Sequence, residues 1–104
     1  MLQSGGEPYY PLKEVKEKMH TGQFRINENA ITGAKELGFT IQDIKKVILS
    51  LEKKNYYKNS ESKNRPEVID FYKNIRYQGE TIYLHFYIRD KEPEVLVINS
   101  FKEQ

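Results

Sequence analysis

The hydrophobic positions in the first half of the chain recur at helical spacing and predict three helices. The first is expected to begin at Pro11, because proline suits the first helical position. It is expected to end at Gly22, since glycine commonly follows the last residue of a helix. Three apolar residues between them fall on one helical face, namely Leu12, Val15 and Met19.

The second and third helices carry capping signals. Asn27 or Asn29 can cap the second helix, and Gly38 ends it. Thr40 followed by Asp43 has the spacing of a capping box at the start of the third. The third helix has the broader apolar face, so we expect it to be the main helix packed on the sheet. These apolar faces are Ala30, Ile31, Ala34 and Leu37 in the second helix, and Ile41, Ile44, Val47, Ile48 and Leu51 in the third.

From residue 55 onward hydrophobic residues recur at about every second position, which predicts β-strands. Helices followed by an antiparallel meander predict an α+β domain in which three N-terminal helices pack on one face of the sheet. We expect residues 1–8 to form a flexible tail and residues 9–104 a single domain. The strands are expected at residues 55–58, 69–77, 81–89 and 94–102, with a polar loop at 59–66 and turns at 78–79 and 90–93.

Alternation along these strands divides the predicted sheet into two faces. The last hairpin is expected to place Tyr83 opposite Ser100, with Lys102 diagonal to Tyr83. The preceding hairpin is expected to place Tyr72 opposite His85. The face expected to meet the helices carries Phe71, Ile75, Ile82, Leu84, Phe86, Ile88, Val95, Val97 and Phe101. The other face carries Tyr72, Asn74, Tyr83, His85, Tyr87, Ser100 and Lys102.

Composition narrows the function classes. The 104 residues contain no cysteine, which excludes a disulfide scaffold, a thiolate zinc site and a thiol nucleophile, and favours the cytoplasm. No apolar run approaches the roughly 20 residues of a membrane span, so no membrane association is expected. The net charge of +2 does not by itself indicate nucleic-acid binding. Eight tyrosines that share stretches with lysines are more informative.

Tyrosine and lysine on one sheet face suit two interpretations. One is a solvated face with ordinary aromatic cross-strand pairs; the other is a surface where RNA bases stack on tyrosine and phosphates meet lysine. No metal site is expected, because the two histidines, His20 and His85, lie far apart in sequence and no zinc-binding spacing occurs. The chain also lacks a phosphate-binding loop motif and a serine-hydrolase nucleophile elbow.

The chain ends with the run Ser100-Phe101-Lys102-Glu103, which follows several other short motifs in a specific order and spacing. Together these motifs resemble the MqsR family, the ribonuclease toxins of a bacterial toxin–antitoxin system, over residues 10–104. The resemblance implies a RelE/ParE-like fold and cleavage of single-stranded messenger RNA without metal or cofactor. It also implies a cognate antitoxin partner, with DNA contacted only through that antitoxin. The other matching stretches are residues 12–16, 22–25, 34–38, 47–51, 56–58 and 83–84, with Ala30, Tyr72 and Gly79.

By position, the resemblance assigns catalysis to Lys58, Tyr83 and Lys102. Ile69 stands where the family has a glutamine, and Asp70 beside it is the one carboxylate expected near the polar face. The lysines suit stabilisation of negative charge, while Tyr83 can position the phosphate or, with a pKa lowered by the lysines, exchange a proton. The residues expected to bind RNA around them are Tyr72, Lys73, Arg76 and His85.

Two other functions are compatible with the same residues. One is a non-catalytic RNA-binding module that uses the tyrosine and lysine face without cleaving RNA. The other is a toxin of RelE/ParE-like fold that is not a nuclease. His85 is the nearest group that can titrate close to neutral pH; alternatively, it stacks on Tyr72 or Tyr87 as an ordinary sheet residue.

Overall fold

A computed structural model describes residues 6–61 and 64–104 and confirms an α+β architecture with three helices and a five-stranded sheet in those residues. Residues 1–5 of the predicted tail and residues 62–63 of the predicted loop lie outside the described residues. The elements in chain order are α1 (Leu12–His20), β1 (Phe24–Ile26), α2 (Glu28–Glu36), α3 (Ile41–Ser50), a 3₁₀ turn (Lys53–Asn55), β2 (Tyr56–Glu61), β3 (Val68–Tyr77), β4 (Glu80–Ile88) and β5 (Leu96–Glu103).

The helix ends follow local sequence signals. Gly22 lies just beyond the last residues of α1 with a φ of +80°, a backbone conformation that glycine adopts without steric cost. At the start of α3, the Asp43 N–H donates to the Thr40 hydroxyl at 3.3 Å, and the Thr40 N–H donates to the Asp43 carboxylate at 2.8 Å. The predicted capping box is therefore confirmed.

The expectation of a purely antiparallel sheet is wrong at one edge. The strand order is β1-β5-β4-β3-β2, and β1 pairs with β5 in parallel, with Phe24 opposite Leu96 and Ile26 opposite Ile98. A three-residue strand is too short to show alternation in the sequence, so the pattern did not reveal β1. The other strand pairs are antiparallel, as expected.

Helix α2, and not α3, makes the closest approach to the sheet. A methyl group placed on Gly33 of α2 would lie 1.8 Å from the carbonyl oxygen of Phe101 on β5. Ala30 and Ala34 flank this glycine and are also buried. Small residues let a helix axis lie close to a strand, whereas the large apolar residues of α3 keep it further away. The expectation that α3 would be the main helix packed on the sheet rested on its broader apolar face. It was wrong because the volume of the side chains decides the distance between a helix and the sheet.

A bulge in β3 reverses the predicted faces of two aromatic residues. Phe71 lies opposite His85, and Tyr72 lies opposite Leu84 on the helix-covered face. The pairing register shifts between Tyr72 and Ile75, where Asn74 has a φ of +59°. An extra residue interrupts the alternation of side-chain directions along a strand. The residues before it and the residues after it therefore no longer follow one continuous alternation between the two faces. The expectation that Phe71 faced the helices and Tyr72 faced away was therefore wrong.

A second register shift changes the pairing of β4 with β5. Tyr83 lies directly opposite Lys102 and His85 opposite Ser100, in place of the expected pair of Tyr83 with Ser100. Asn99 is the extra residue, because Phe86 pairs with Ile98. Val97, expected on the helix side, lies opposite Tyr87 on the other face, where it is also buried, and Leu96 and Ile98 lie on the helix side.

A buried carboxylate attaches the N-terminal segment to the sheet. Asp70 of β3 has no solvent exposure and lies opposite Phe86 on the helix-covered face. Its two oxygens accept the backbone N–H groups of Tyr9 and Tyr10 at 3.1 and 2.9 Å. Asp70 is therefore absent from the polar face where the sequence pattern placed it.

Candidate functional site

The sheet face turned away from the helices brings the three predicted catalytic residues together. Lys58 of β2 lies opposite Phe71, and Phe71 lies opposite His85 of β4. Two residues along β4, Tyr83 lies opposite Lys102 of β5. We call this surface the open face and define it by Lys58, Phe71, Tyr83, His85, Ser100 and Lys102.

Aromatic rings form the floor of the open face. The ring centroid of Phe71 lies 4.6 Å from that of His85 and 6.2 Å from that of Tyr83. The ammonium nitrogen of Lys58 lies 5.2 Å from the centroid of Phe71. That of Lys102 lies 5.6 Å from the centroid of Tyr83. The two cations are thus held over different rings of one continuous aromatic patch.

Further cations border this patch. The ammonium of Lys73 lies 4.0 Å from the ring centroid of Tyr57, and the ammonium of Lys58 lies 5.3 Å from the same centroid. Arg76 is exposed and lies opposite Thr81, on the same side of the sheet as Tyr83. Two of the residues predicted to bind RNA, Lys73 and Arg76, therefore lie beside the open face.

The strand register separates the charges of the sheet by sign. The open face carries lysines. The four carboxylate residues on the strands pair with residues that point to the helix-covered face. An anionic ligand on the open face therefore meets ammonium groups without a strand carboxylate beside them. These carboxylates are Glu61, Asp70, Glu80 and Glu103.

Tyr83 and His85 of the open face are neutral at physiological pH. Partial burial, and to a smaller extent the neighbouring Tyr57, raises the pKa of Tyr83 above its ordinary value. This is opposite to the lowering expected from the lysines, because desolvation penalises a phenolate. Burial, with a smaller contribution from Lys102, lowers the pKa of His85 to about 4. Tyr83 is therefore a hydrogen-bond donor, and His85 is an uncharged imidazole.

Tyr72 does not belong to the site, and its expected role in RNA binding is wrong. Its side chain is fully buried on the helix-covered face and stacks on Phe86 with ring centroids 5.3 Å apart. Phe71 takes the place on the open face that the sequence pattern gave to Tyr72. The signal that could have revealed the exchange is Asn74, since an asparagine inside a strand often marks a bulge.

Asn99, which no motif or spacing in the sequence singled out, contacts the site from the bulge in β5. Its side-chain amide nitrogen lies 3.1 Å from Nδ1 of His85. The His85 ring packs against Phe71 at an interplanar angle of 40°, and not against the expected Tyr72 or Tyr87. Tyr87 is only 4% exposed and is covered by the guanidinium of Arg65, which lies 4.7 Å from its ring centroid. Tyr87 therefore offers little surface for stacking.

The described residues hold neither a metal-binding cluster nor a membrane-spanning helix. Within residues 6–61 and 64–104, no three histidine, aspartate or glutamate side chains lie close enough together to hold a metal ion. In the same residues, no helix is both long and apolar enough to cross a lipid bilayer.

Comparison with known protein families gives a match over most of the chain. The family model described as "Motility quorum-sensing regulator, toxin of MqsA" matches residues 7–103. A search of curated proteins found no match. The matched range includes every strand and helix described above.

Proposed function

This chain belongs to the MqsR toxin family, and on that premise we propose that it is an endoribonuclease that cleaves single-stranded messenger RNA without a metal ion. Membership makes the chain a toxin of a toxin–antitoxin system, with a cognate antitoxin as its partner. Cleavage of messenger RNA in the cytoplasm would inhibit translation and growth.

One observation carries the proposal: Lys58, Tyr83 and Lys102 come from three different strands and lie on one open face around shared aromatic rings. Single-stranded RNA presents bases that stack on aromatic rings and phosphates that attract cations. The absence of strand carboxylates from this face within the described residues favours a polyanion. RNA is therefore the ligand class that the surface suits best.

The reaction that fits these groups uses the 2′-hydroxyl of the RNA as the nucleophile. The 2′ oxygen bonds to the adjacent phosphorus, the bond from phosphorus to the 5′ oxygen breaks, and the proton of the 2′-hydroxyl passes to solvent water. The leaving 5′ oxygen takes up a proton from Tyr83 or from water, and solvent then reprotonates Tyr83. Because the nucleophile is already next to the phosphorus, the protein needs to hold the reacting atoms in line and stabilise charge.

Each residue has a role consistent with its position. Lys58 and Lys102 stabilise the negative charge that builds up on the phosphate oxygens. Tyr83 remains protonated, so its hydroxyl can donate to a phosphate oxygen or to the leaving 5′ oxygen. The rings of Phe71 and Tyr83 support the flanking bases. Ile69, which replaces a family glutamine, pairs with Ser60 and is nearly buried, so it supplies no polar contact.

The test is cleavage of single-stranded RNA by the purified chain in excess EDTA. We expect cutting to continue and to leave a 2′,3′-cyclic phosphate and a 5′-hydroxyl. RNA with a 2′-O-methyl group on the sugar 5′ to the cut should resist. Magnesium-dependent cutting that leaves 5′-phosphates would contradict the proposal, and RNA binding with no cutting would favour the non-catalytic module.

A further inference from the structure

A chain of two hydrogen bonds connects the start of helix α2 to the imidazole of His85. Nδ2 of Asn27 donates to Oδ1 of Asn99 at 3.0 Å. Nδ2 of the same Asn99 lies 3.1 Å from Nδ1 of His85. An amide whose oxygen is occupied as an acceptor presents its N–H group to the next partner. Nδ1 of His85 is then an acceptor and carries no proton.

Both asparagines occupy positions that are unusual for an ordinary structural role. Asn27 is the N-cap of α2, yet its side chain makes no capping hydrogen bond to the helix. Its amide is directed to Asn99 instead, and its backbone N–H donates to the carbonyl of Ile98 at 3.0 Å. Asn99 is the extra residue of the bulge in β5, a feature that commonly redirects a side chain beside a functional site.

We propose that Asn99, held by Asn27, is a positioning residue that keeps His85 in the neutral tautomer with its proton on Nε2, so that this N–H donates a hydrogen bond to RNA on the open face. The inference rests on the proposed function for its ligand. The tautomer itself is a property of the protein without RNA.

The surroundings of His85 agree with an uncharged ring. The charged and titratable groups around it are Lys102 of β5, Tyr83 of β4 and Lys58 of β2, whose ammonium lies over the neighbouring Phe71 ring. Two of these are cations, and none of them is a carboxylate that could stabilise an imidazolium. Burial adds to the same effect and lowers the pKa of His85. His85 therefore adds a directional donor between the cations and no further charge.

Nitrogen-15 NMR of the histidine ring in the RNA-free chain tests the tautomer directly. We expect the Nε2–H tautomer of His85 from pH 6 to pH 8. Asn27→Asp removes the amide donor at the far end of this chain of two hydrogen bonds and leaves a carboxylate that can only accept. Asn99 should therefore rotate its amide and present Oδ1 to the His85 ring. His85 should then carry its proton on Nδ1. Asn29→Asp is the matched control, because it makes the same charge change in the first turn of α2 and should leave the tautomer unchanged.

The proposal is overturned if wild-type His85 carries its proton on Nδ1 or is charged at pH 7, or if Asn27→Asp leaves the Nε2–H form in place. These results do not depend on cleavage, so they stand even if the chain is not a nuclease.

Cleavage assays test the donor role of His85. His85→Gln keeps an N–H donor near the position of Nε2, whereas His85→Leu keeps only the bulk. Loss of a hydrogen bond to a charged group commonly lowers a rate or binding constant about ten- to hundredfold. We expect His85→Leu to lose that factor in kcat/KM and His85→Gln to recover most of it. Equal rates for wild type and His85→Leu would overturn the donor role while leaving the proposed nuclease intact.

Discussion

Tyr83 and Lys102 lie directly opposite each other on neighbouring antiparallel strands, with the ammonium of Lys102 5.6 Å from the centroid of the Tyr83 ring. The backbone ladder between β4 and β5 therefore sets the separation between a phenol donor and a cation. Neither side chain needs to reach across a loop. This pairing gives the proposed site a rigid base, since strands position functional groups more accurately than loops do.

Replacing Lys102 with alanine should abolish most RNA cleavage and leave the fold intact. Loss of one well-placed group that stabilises transition-state charge commonly lowers the rate about 10²–10³-fold. Lys102 is exposed, so its removal should change the free energy of unfolding by less than about 1 kcal/mol. Single-turnover cleavage and thermal unfolding measure the two effects. Lys91→Ala, an exposed lysine in the turn before β5, is the control and should cut at the wild-type rate.

Replacing Tyr72 with phenylalanine should preserve cleavage and slightly stabilise the protein. The hydroxyl of Tyr72 is buried and has no hydrogen-bond partner in the described part of the chain. Removing an unsatisfied buried hydroxyl should raise the free energy of unfolding by about 1 kcal/mol. Tyr56→Phe is the matched comparison, because the Tyr56 hydroxyl accepts from Asn59 at 2.7 Å and its loss should destabilise by a similar amount. Reduced stability or reduced cleavage in Tyr72→Phe would contradict its placement in the core.

A methyl group at Gly33 should separate α2 from the sheet. The clash would be with the backbone carbonyl of Phe101, which cannot move as a side chain can. We expect Gly33→Ala to lower the free energy of unfolding by at least about 3 kcal/mol, the upper part of the range for overpacking. Cleavage should fall as well, because Lys102 follows Phe101 on the displaced strand. Urea denaturation measures the change, and the neighbouring exposed Thr32→Ala should be neutral or slightly stabilising.

Asp70 should make the protein less stable as the pH rises from 4 to 7. Burial raises the pKa of this carboxyl from 3.8 to about 6, although two backbone N–H groups oppose the shift. The folded state therefore holds the proton more tightly than the unfolded chain. The stabilisation is fully present below pH 4 and is lost as the pH rises through 6. The loss amounts to about 3 kcal/mol for a shift of this size.

The measurement is the free energy of unfolding of wild type minus that of Asp70→Asn at several pH values. The other titrating groups contribute similarly to both proteins, and asparagine does not titrate. The difference should fall between pH 4 and pH 7. A difference that stays constant, or that rises with pH, would show that the folded state does not favour the protonated form of Asp70.

Local signals were sufficient for most element boundaries. The capping box of Thr40 and Asp43 and the glycine after α1 depend on contacts within a few residues, so the sequence pattern predicts them directly. The turn at Gln78 and Gly79 has φ values of 47° and 83°, which match a two-residue hairpin turn. The resemblance to a toxin family was likewise visible in the order of short motifs, and the family match over residues 7–103 confirms it.

The composition of the open face depended on tertiary structure. The face of a strand residue is set by its pairing register, and a single extra residue changes the phase of all later residues in that strand. The bulges at Asn74 and Asn99 exchanged Phe71 with Tyr72 and brought Lys102 opposite Tyr83. Pairing partners are distant in sequence, so alternation along one strand does not reveal where its neighbour is bulged. The alternation thus placed Tyr83, His85, Ser100 and Lys102 on one face, while the ladder between strands decided that Phe71 joins them and that Lys102 lies directly opposite Tyr83.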